Sequence, residues 1–593
     1  MDTACVSFGF AEKPSRSARF RLDFCGQLFM ETVVMKRLVS IAFCVIVMFL
    51  ISARPAPAQS FQEGKPLDWP VAMPAGPSTW LLGQPYGNTT GAFARGSMWY
   101  SAGQRLHFGI DISMPCGTPL VAVAEGEVRG VDDLGFGSGP HNLILRHEAY
   151  GITTLYGHLL ERPPLVNGQW VERGQVVGLS GDPDGTCDSR PHLHLEVRSL
   201  DYFTAYNPVE YINAAWHSLS TVGSYSEQVF QRDLDNPRRW LTLLDQPTVA
   251  FGGGALNNYA AAWPSGSQPP ANPPLPREAS PLPENATVRQ RRLGYEGCCF
   301  WPWWHATDPN LLYTIDGPAG QRANVYAWQI GPETTFDIVQ QAPPPFTSPD
   351  GSYELRLAGD MTAIYNTATG EAWAVPTNGE IAALSPDNSR LLWLTRDGLS
   401  IPGSEPPLTQ IWISGARGEN PQMIAEQRGG SARWLDSERV LITTSERQVS
   451  TLQIYHVADG STYELGRWTR LRGLDVAPGG GRLIFYLTFQ DDPQLDGVYV
   501  IDTQPGAVAR QLPWFGAWKW RDASSVYYIP FQPDDNLHSL AYYDLETGEN
   551  RMLVTPDHMA FTVANGDWSV SADGQRIVYL NANDLTMWLL EIQ

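Results

Sequence analysis

A turn signal recurs along the C-terminal half of the chain, and its spacing limits the folds available. SPDNSRLLWL starts at Ser385, APGGGRLIFYL at Ala477 and SADGQRIVYL at Ser571. Fainter copies are DPNLLYTIDG from Asp308, SPDGSYELRLA from Ser348, WLDSERVLITT from Trp434 and WRDASSVYYIP from Trp520. The turn positions Asp308, Asp350, Asp387, Asp436, Gly479, Asp522 and Asp573 lie roughly 44 residues apart. A unit of that length holds about four short strands, and an array of such units predicts a β-propeller with seven blades, six being the alternative. After Asp573 only the strands RIVYL and TMWLLEI remain, so the last blade must be closed by chain from before Asp308. The propeller is expected over residues 293–593.

At 593 residues the chain is too long for one core. A second strand-rich block precedes the propeller, read from short β-branched runs between turn residues: TPLVAVAEGEVRGV, NLILRH, GITTLYGHL, QVVGLSG and HLHLEVRS. It predicts a domain over 59–214 with its core at 105–212. Residues 215–292 read as a connecting segment. Within it, PSGSQPPANPPLPREASPLPEN (264–285) has the composition of a semi-rigid linker with too little apolar content for a core. The expected fold class is all-β and multidomain, an antiparallel sheet domain followed by the propeller.

The formal net charge is −21, which argues against nucleic acid as a partner, since phosphate binding needs a basic footprint. The four lysines, Lys13, Lys36, Lys65 and Lys519, follow no Gly-rich phosphate loop. MKRLVSIAFCVIVMFLISARPAPAQS, from Met35, has the charged start, apolar run and small-residue ending of an export signal. It predicts a signal peptide over 35–58, with 1–34 lying upstream of the true start. The alternative is an uncleaved anchor through 38–52. Either way the bulk of the chain is expected outside the cytoplasm, secreted, periplasmic or at the cell surface. Cys5, Cys25 and Cys44 fall in the removed part, leaving Cys116, Cys187, Cys298 and Cys299 in an oxidising compartment. Cys116–Cys187 is the preferred disulfide. Cys298 and Cys299 are adjacent, which strains a direct bridge.

Of the 11 histidines, those at 107, 141, 147, 158, 192 and 194 fall in the strand-rich block. LHFGIDIS carries His107 and Asp111 around Gly109, LYGHL carries His158, and PHLHLEV carries His192 and His194. Side chains alternate on a strand, so His192 and His194 share a face opposite Leu193 and Leu195. Imidazole and carboxylate together suit Zn2+, and a catalytic site keeps one position open, so three protein ligands are expected. HEAYG at 147–151 fails as a helical zincin motif because position 151 is Gly. His141 and His147 are expected to hydrogen-bond within the sheet. Glu196 reads as a surface charge more readily than as a group orienting a ligand.

His-x-Gly-x-Asp, Tyr-Gly-His-Leu and His-Leu-His-Leu, in this order, resemble the M23 family of zinc metallopeptidases, the lysostaphin type. CGTPLVAVAEGEV and NGQWVERGQVVGLSG match as well. The resemblance covers about 107–212 and implies one Zn2+ held by His107, Asp111 and His194. His158 and His192 would flank it as catalytic groups, one taking a proton from water and the other bonding the developing oxyanion, with their assignment left open. Peptide bonds in peptidoglycan stems or cross-bridges are the implied substrate. DPDGTCDSRP before His192 departs from the family's Gly/Ser/Thr-rich run and would place a disulfide at the rim of the cleft. The propeller repeats resemble those of TolB-type and WD40-like propellers, which implies a protein or cell-envelope partner for that domain. The competing reading is a non-catalytic cell-wall-binding or regulatory protein that uses both domains as interaction modules.

Overall fold

The computed structural model describes residues 64–87, 89, 92, 106–223, 242–252, 275–294, 300–316, 324–331, 334–340, 346–398 and 406–593. The upstream segment 1–34, the signal 35–58, the first part of the Pro-rich tract and Cys298 and Cys299 lie outside the described residues.

In chain order the N-terminal strands are β1 (Leu81–Leu82), β2 (Ile110–Ser113), β3 (Pro119–Val121), β4 (Gly126–Val131), β5 (His141–His147), β6 (Ile152–Leu159), β7 (Trp170–Val171), β8 (Val176–Leu179), β9 (His192–Ser199), β10 (Thr204–Tyr206) and β11 (Val249–Ala250). One antiparallel sheet runs β1-β2-β9-β6-β5-β4-β7, with β10 on β9 and β11 on β10, while β3 pairs β8 separately. Alternation along β9 sends Leu193, Leu195 and Val197 into the core, each at 0% exposure. His192, His194, Glu196 and Arg198 are thereby committed to the other face. Tyr156 of β6 ties the sheet to the β3 segment, donating to the Val121 carbonyl and accepting from the Val123 N–H.

Residues 288–592 form seven four-stranded sheets, so the propeller has seven blades. In the last sheet Val288–Arg292 pairs with Met587–Ile592, closing the ring with chain from before the first blade, as the repeat count requires. The recurring Ser-x-Asp turn is a local hydrogen-bond device. Ser348, Ser385 and Ser571 each donate Oγ–H to Asp350, Asp387 and Asp573, at 2.6, 2.6 and 2.5 Å. Each serine oxygen also accepts the N–H five residues on, of Tyr353, Arg390 and Arg576. The described end of the Pro-rich tract is not a free tether. Ser280 N–H donates to the Asp573 carbonyl at 3.1 Å, Arg277 donates to the Trp520 carbonyl at 3.3 Å, and Leu282 packs against the last blades. Prolines lose little chain entropy on docking, so a few side-chain contacts suffice to hold it.

The two β-domains also pack directly on each other. Leu81 and Val222 from the first close over Phe489 of the propeller, all three buried. Phe489 N–H donates to the Pro77 carbonyl at 2.8 Å, and Ser218 donates to the Asp535 carbonyl. His217, beside Ser218, and His538, beside that propeller loop, lie in the same region. Nδ1 of His217 and Nε2 of His538 have no hydrogen-bond partner among the described residues. Burial pushes the His538 pKa down to about 3 and that of His217 down to about 4. The unfolded chain binds these protons near 6.5 and the folded one does not, so stability is lost as pH falls from about 6.5 toward 4, at up to about 1.4 kcal/mol per pH unit for each group. The melting midpoint should therefore fall over this window in circular dichroism, and His538→Gln should flatten the slope. An unchanged slope would contradict the assignment.

Candidate active site

Three strands bring the site together. β2 pairs β9 with Asp111 directly opposite His194, and β6 pairs β9 with Gly157 opposite His194. His107 arrives on the segment just before β2, where it bridges to Gly87. Two glycines permit this approach. A Cβ on Gly109 would stand 2.4 Å from the Leu195 carbonyl oxygen, and one on Gly157 would stand 2.4 Å from Ser138 Cβ. The glycines of His-x-Gly-x-Asp and Tyr-Gly-His are thus steric requirements of the site.

His107 Nε2, Asp111 Oδ1 and His194 Nδ1 converge. The edges of this triangle are 3.2 Å (His107–Asp111), 2.9 Å (His194–Asp111) and 3.1 Å (His107–His194). All three residues are buried. The groups bonded to the far ring nitrogens explain why the near atoms are lone pairs. His107 Nδ1–H donates to the Pro85 carbonyl at 2.8 Å, and His194 Nε2–H donates to Glu196 at 3.0 Å. With those bonds made, three electron-rich atoms face one another and call for a cation among them, either a proton on His194 or a metal ion. Donors sharing an ion through bonds of about 2.0–2.2 Å stand roughly 3.3–3.6 Å apart, so these three need to open by only a few tenths of an ångström. Two imidazoles and one carboxylate suit a small borderline ion such as Zn2+.

The electrostatics agree. Burial alone would raise the Asp111 pKa, but His107, His192 and His194 hold it well below the usual carboxylate range. Burial opposes charge on His194, yet its bonds to Asp111 and Glu196 raise its pKa to about 9, so the position favours positive charge. Burial likewise opposes the Glu196 carboxylate, and Arg198 and His194 bring its pKa down to about 2. Glu196 is therefore not a surface charge, the expectation from sequence. It is buried, two residues from His194 on the same strand face, and orients that ring while Arg198 Nε donates to its second oxygen at 2.6 Å. Its same-face spacing was the available signal. Arg198 also reaches the Phe136 carbonyl and lies over the Phe251 ring at 4.6 Å, contacts that sequence gives no hint of.

His158 and His192 flank the cluster, their ring centroids 4.9 Å apart. Each donates Nδ1–H to a backbone carbonyl, His158 to Gly139 at 2.5 Å and His192 to Arg190 at 2.6 Å. Nε2 of each is left as the free lone pair, and that of His192 lies 3.6 Å from Asp111 Oδ1. Desolvation lowers the pKa of both, that of His158 to about 3, so both rings are neutral at pH 7. His158 holds φ +57°, a left-handed conformation uncommon for a non-glycine residue and concentrated at functional sites. His141 bonds Asp132, and His147 bonds the Glu125 carbonyl and Thr154, both within the sheet as expected. Cys116 and Cys187 are joined, with Cα atoms 5.8 Å apart.

Residues 105–208 match the family model described as Peptidase family M23. This stretch is an M23 peptidase domain. Over 112 residues the chain is 30% identical to lysostaphin of Staphylococcus staphylolyticus, covering 18% of this chain and 22% of that protein. Over 94 residues it is 36% identical to the DD-carboxypeptidase/endopeptidase Mpg of Neisseria meningitidis, covering 16% of this chain and 20% of that one. The chain spans about a fifth of the length of these curated relatives. A TolB structure from Agrobacterium tumefaciens aligns at 15% identity and a TM-score of 0.26, over 44% of this chain and 94% of that one.

Because Glu196 fixes the tautomer of His194, Glu196→Gln should lower zinc affinity of the M23 domain by about 10–100-fold in a chelator competition, with the far-ultraviolet spectrum unchanged. Affinity equal to that of the unaltered chain would show that the bond does not tune the metal.

Proposed function

We propose that the chain is an exported zinc metalloendopeptidase that hydrolyses peptide bonds in peptidoglycan stems or cross-bridges. The observation that carries this reading is the convergence of three lone pairs, from His107, Asp111 and His194, beside two neutral histidines whose Nε2 atoms are free. Bound there, Zn2+ would supply Lewis-acid activation of water and of a peptide carbonyl.

The chain's own residues do the rest. His158 would take the proton of the attacking water at Nε2 and pass it to the leaving amine, its ring held by the Gly139 carbonyl. Nε2 of His192 lies 3.6 Å from the Asp111 carboxylate; neutral at rest, this ring would bond the developing oxyanion only once it has itself taken a proton, which the adjacent carboxylate assists. Asp111 is committed to the metal and is not the base. The substrate class comes from relatives named lysostaphin, DD-carboxypeptidase/endopeptidase Mpg and glycyl-glycine endopeptidase ALE-1. Export is supported by the 35–58 signal and by the Cys116–Cys187 disulfide, a bond suited to an oxidising compartment.

Purified peptidoglycan and zinc quantification test the assignment together. His194→Ala should lose both metal and hydrolysis. His158→Ala should keep its metal and lose about 10²–10⁴-fold in turnover. Equal turnover in the two variants and the unaltered chain would remove the enzyme reading.

A further inference from the structure

The loop that leads into the His192–His194 strand is in contact with the propeller. The loop 182–191, which leads into β9, is held on three sides. Buried Asp182 accepts from the Ser189 and Arg190 N–H groups, the disulfide ties Cys187 to Cys116, and Gln448 of the propeller donates its side-chain N–H to the Cys187 carbonyl. Arg470 in turn donates to Gln448 Oε1 at 2.9 Å and reaches the Phe489 carbonyl. The carbonyl of Arg190 that orients His192 therefore belongs to a loop that the propeller clamps.

Between this loop and the propeller is a cavity of about 530 Å³. Pro191, one residue before His192, and Asp188 line it from the peptidase side, and Arg447, Gln448, Arg470 and Asp491 from the propeller side, Asp491 facing Arg470 at 3.7 Å. Arg447 and Gln448 form the turn between the propeller strands Arg439–Glu446 and Val449–His456, at φ +45° and +65°. A two-residue hairpin with both positions left-handed is best served by Asn-Gly. Two long polar side chains accept strain there and extend from the tip. Arg470 is engaged by Gln448, but the Arg447 guanidinium is exposed at the cavity and makes no ion pair among the described residues. An unpaired guanidinium presents a planar donor fork matched to a carboxylate.

Resting on the peptidase reading above, we propose that the propeller forms the second wall of the substrate cleft and that Arg447 selects peptides by binding a carboxylate on them. The propeller is then part of the specificity apparatus rather than a tethered anchor.

The test is calorimetric, on the full chain carrying His158→Ala so that no peptide is consumed. The probe is the pentapeptide Ala-Glu-Lys-Ala-Ala with the stereochemistry of a peptidoglycan stem. One arm replaces the free C-terminus by its amide and another replaces Glu by Gln, which separates the two sources of carboxylate. Expected is at least tenfold weaker binding for the arm lacking the recognised carboxylate, and loss of that discrimination when Arg447→Glu is added. Equal affinity for all three peptides, persistence of the discrimination in the Arg447→Glu chain, or no binding up to millimolar peptide would each overturn the proposal. Hydrolysis by the chain with His158 intact is measured alongside, so an inactive protein that still discriminates would count against the peptidase reading and not against this one.

Discussion

The pairing of Asp111 with His194 across β2 and β9 is the contact on which the site depends. Side chains in a sheet alternate, so a slip of one residue between these strands would turn the carboxylate and the imidazole to opposite faces. The register is held from the other side of the sheet, where Ile110, Ile112, Leu193 and Leu195 are buried in the core. Glycines at 109 and 157 let the neighbouring backbones come close enough to complete the arrangement. Hydrophobic burial on one face thus positions polar chemistry on the other.

A second layer converts proximity into reactivity. The Pro85, Gly139 and Arg190 carbonyls and the Glu196 carboxylate each take one ring N–H, leaving four imidazole lone pairs aimed inward. Two of these meet the Asp111 oxygen in a group that could hold a metal ion, and the other two flank it. Burial keeps the flanking pair neutral, whereas the acidic neighbours of His194 favour positive charge at the cation position. The same residue type is given two opposite charge preferences by its surroundings.

Much of this was legible in sequence because it is local. The Ser-x-Asp turns bond within five residues, so their repetition announces blades before any fold is known. His107, Asp111, His158, His192 and His194 stand in three short motifs with glycine at the points of close approach. What escaped is non-local or depends on burial. Glu196 looks like any charged residue until the core beneath β9 is assembled, and Arg198 reaches Phe136 and Phe251 only in the folded sheet. The docking of the 275–285 segment on the propeller and the clamp of Gln448 on the Cys187 loop join positions with no common sequence pattern. Composition alone made the first look like a spacer.

The propeller and the peptidase domain are packed through Phe489, Leu81 and Val222. The cation site can be interrogated without any substrate. X-ray absorption at the zinc edge, on the purified full chain loaded with one equivalent of Zn2+, reads its donors directly. Expected is one ion per chain with two imidazole nitrogens and a carboxylate oxygen among its ligands, at about 2.0–2.2 Å. A chain that retains no ion, or a shell containing sulfur or a single imidazole, would contradict it.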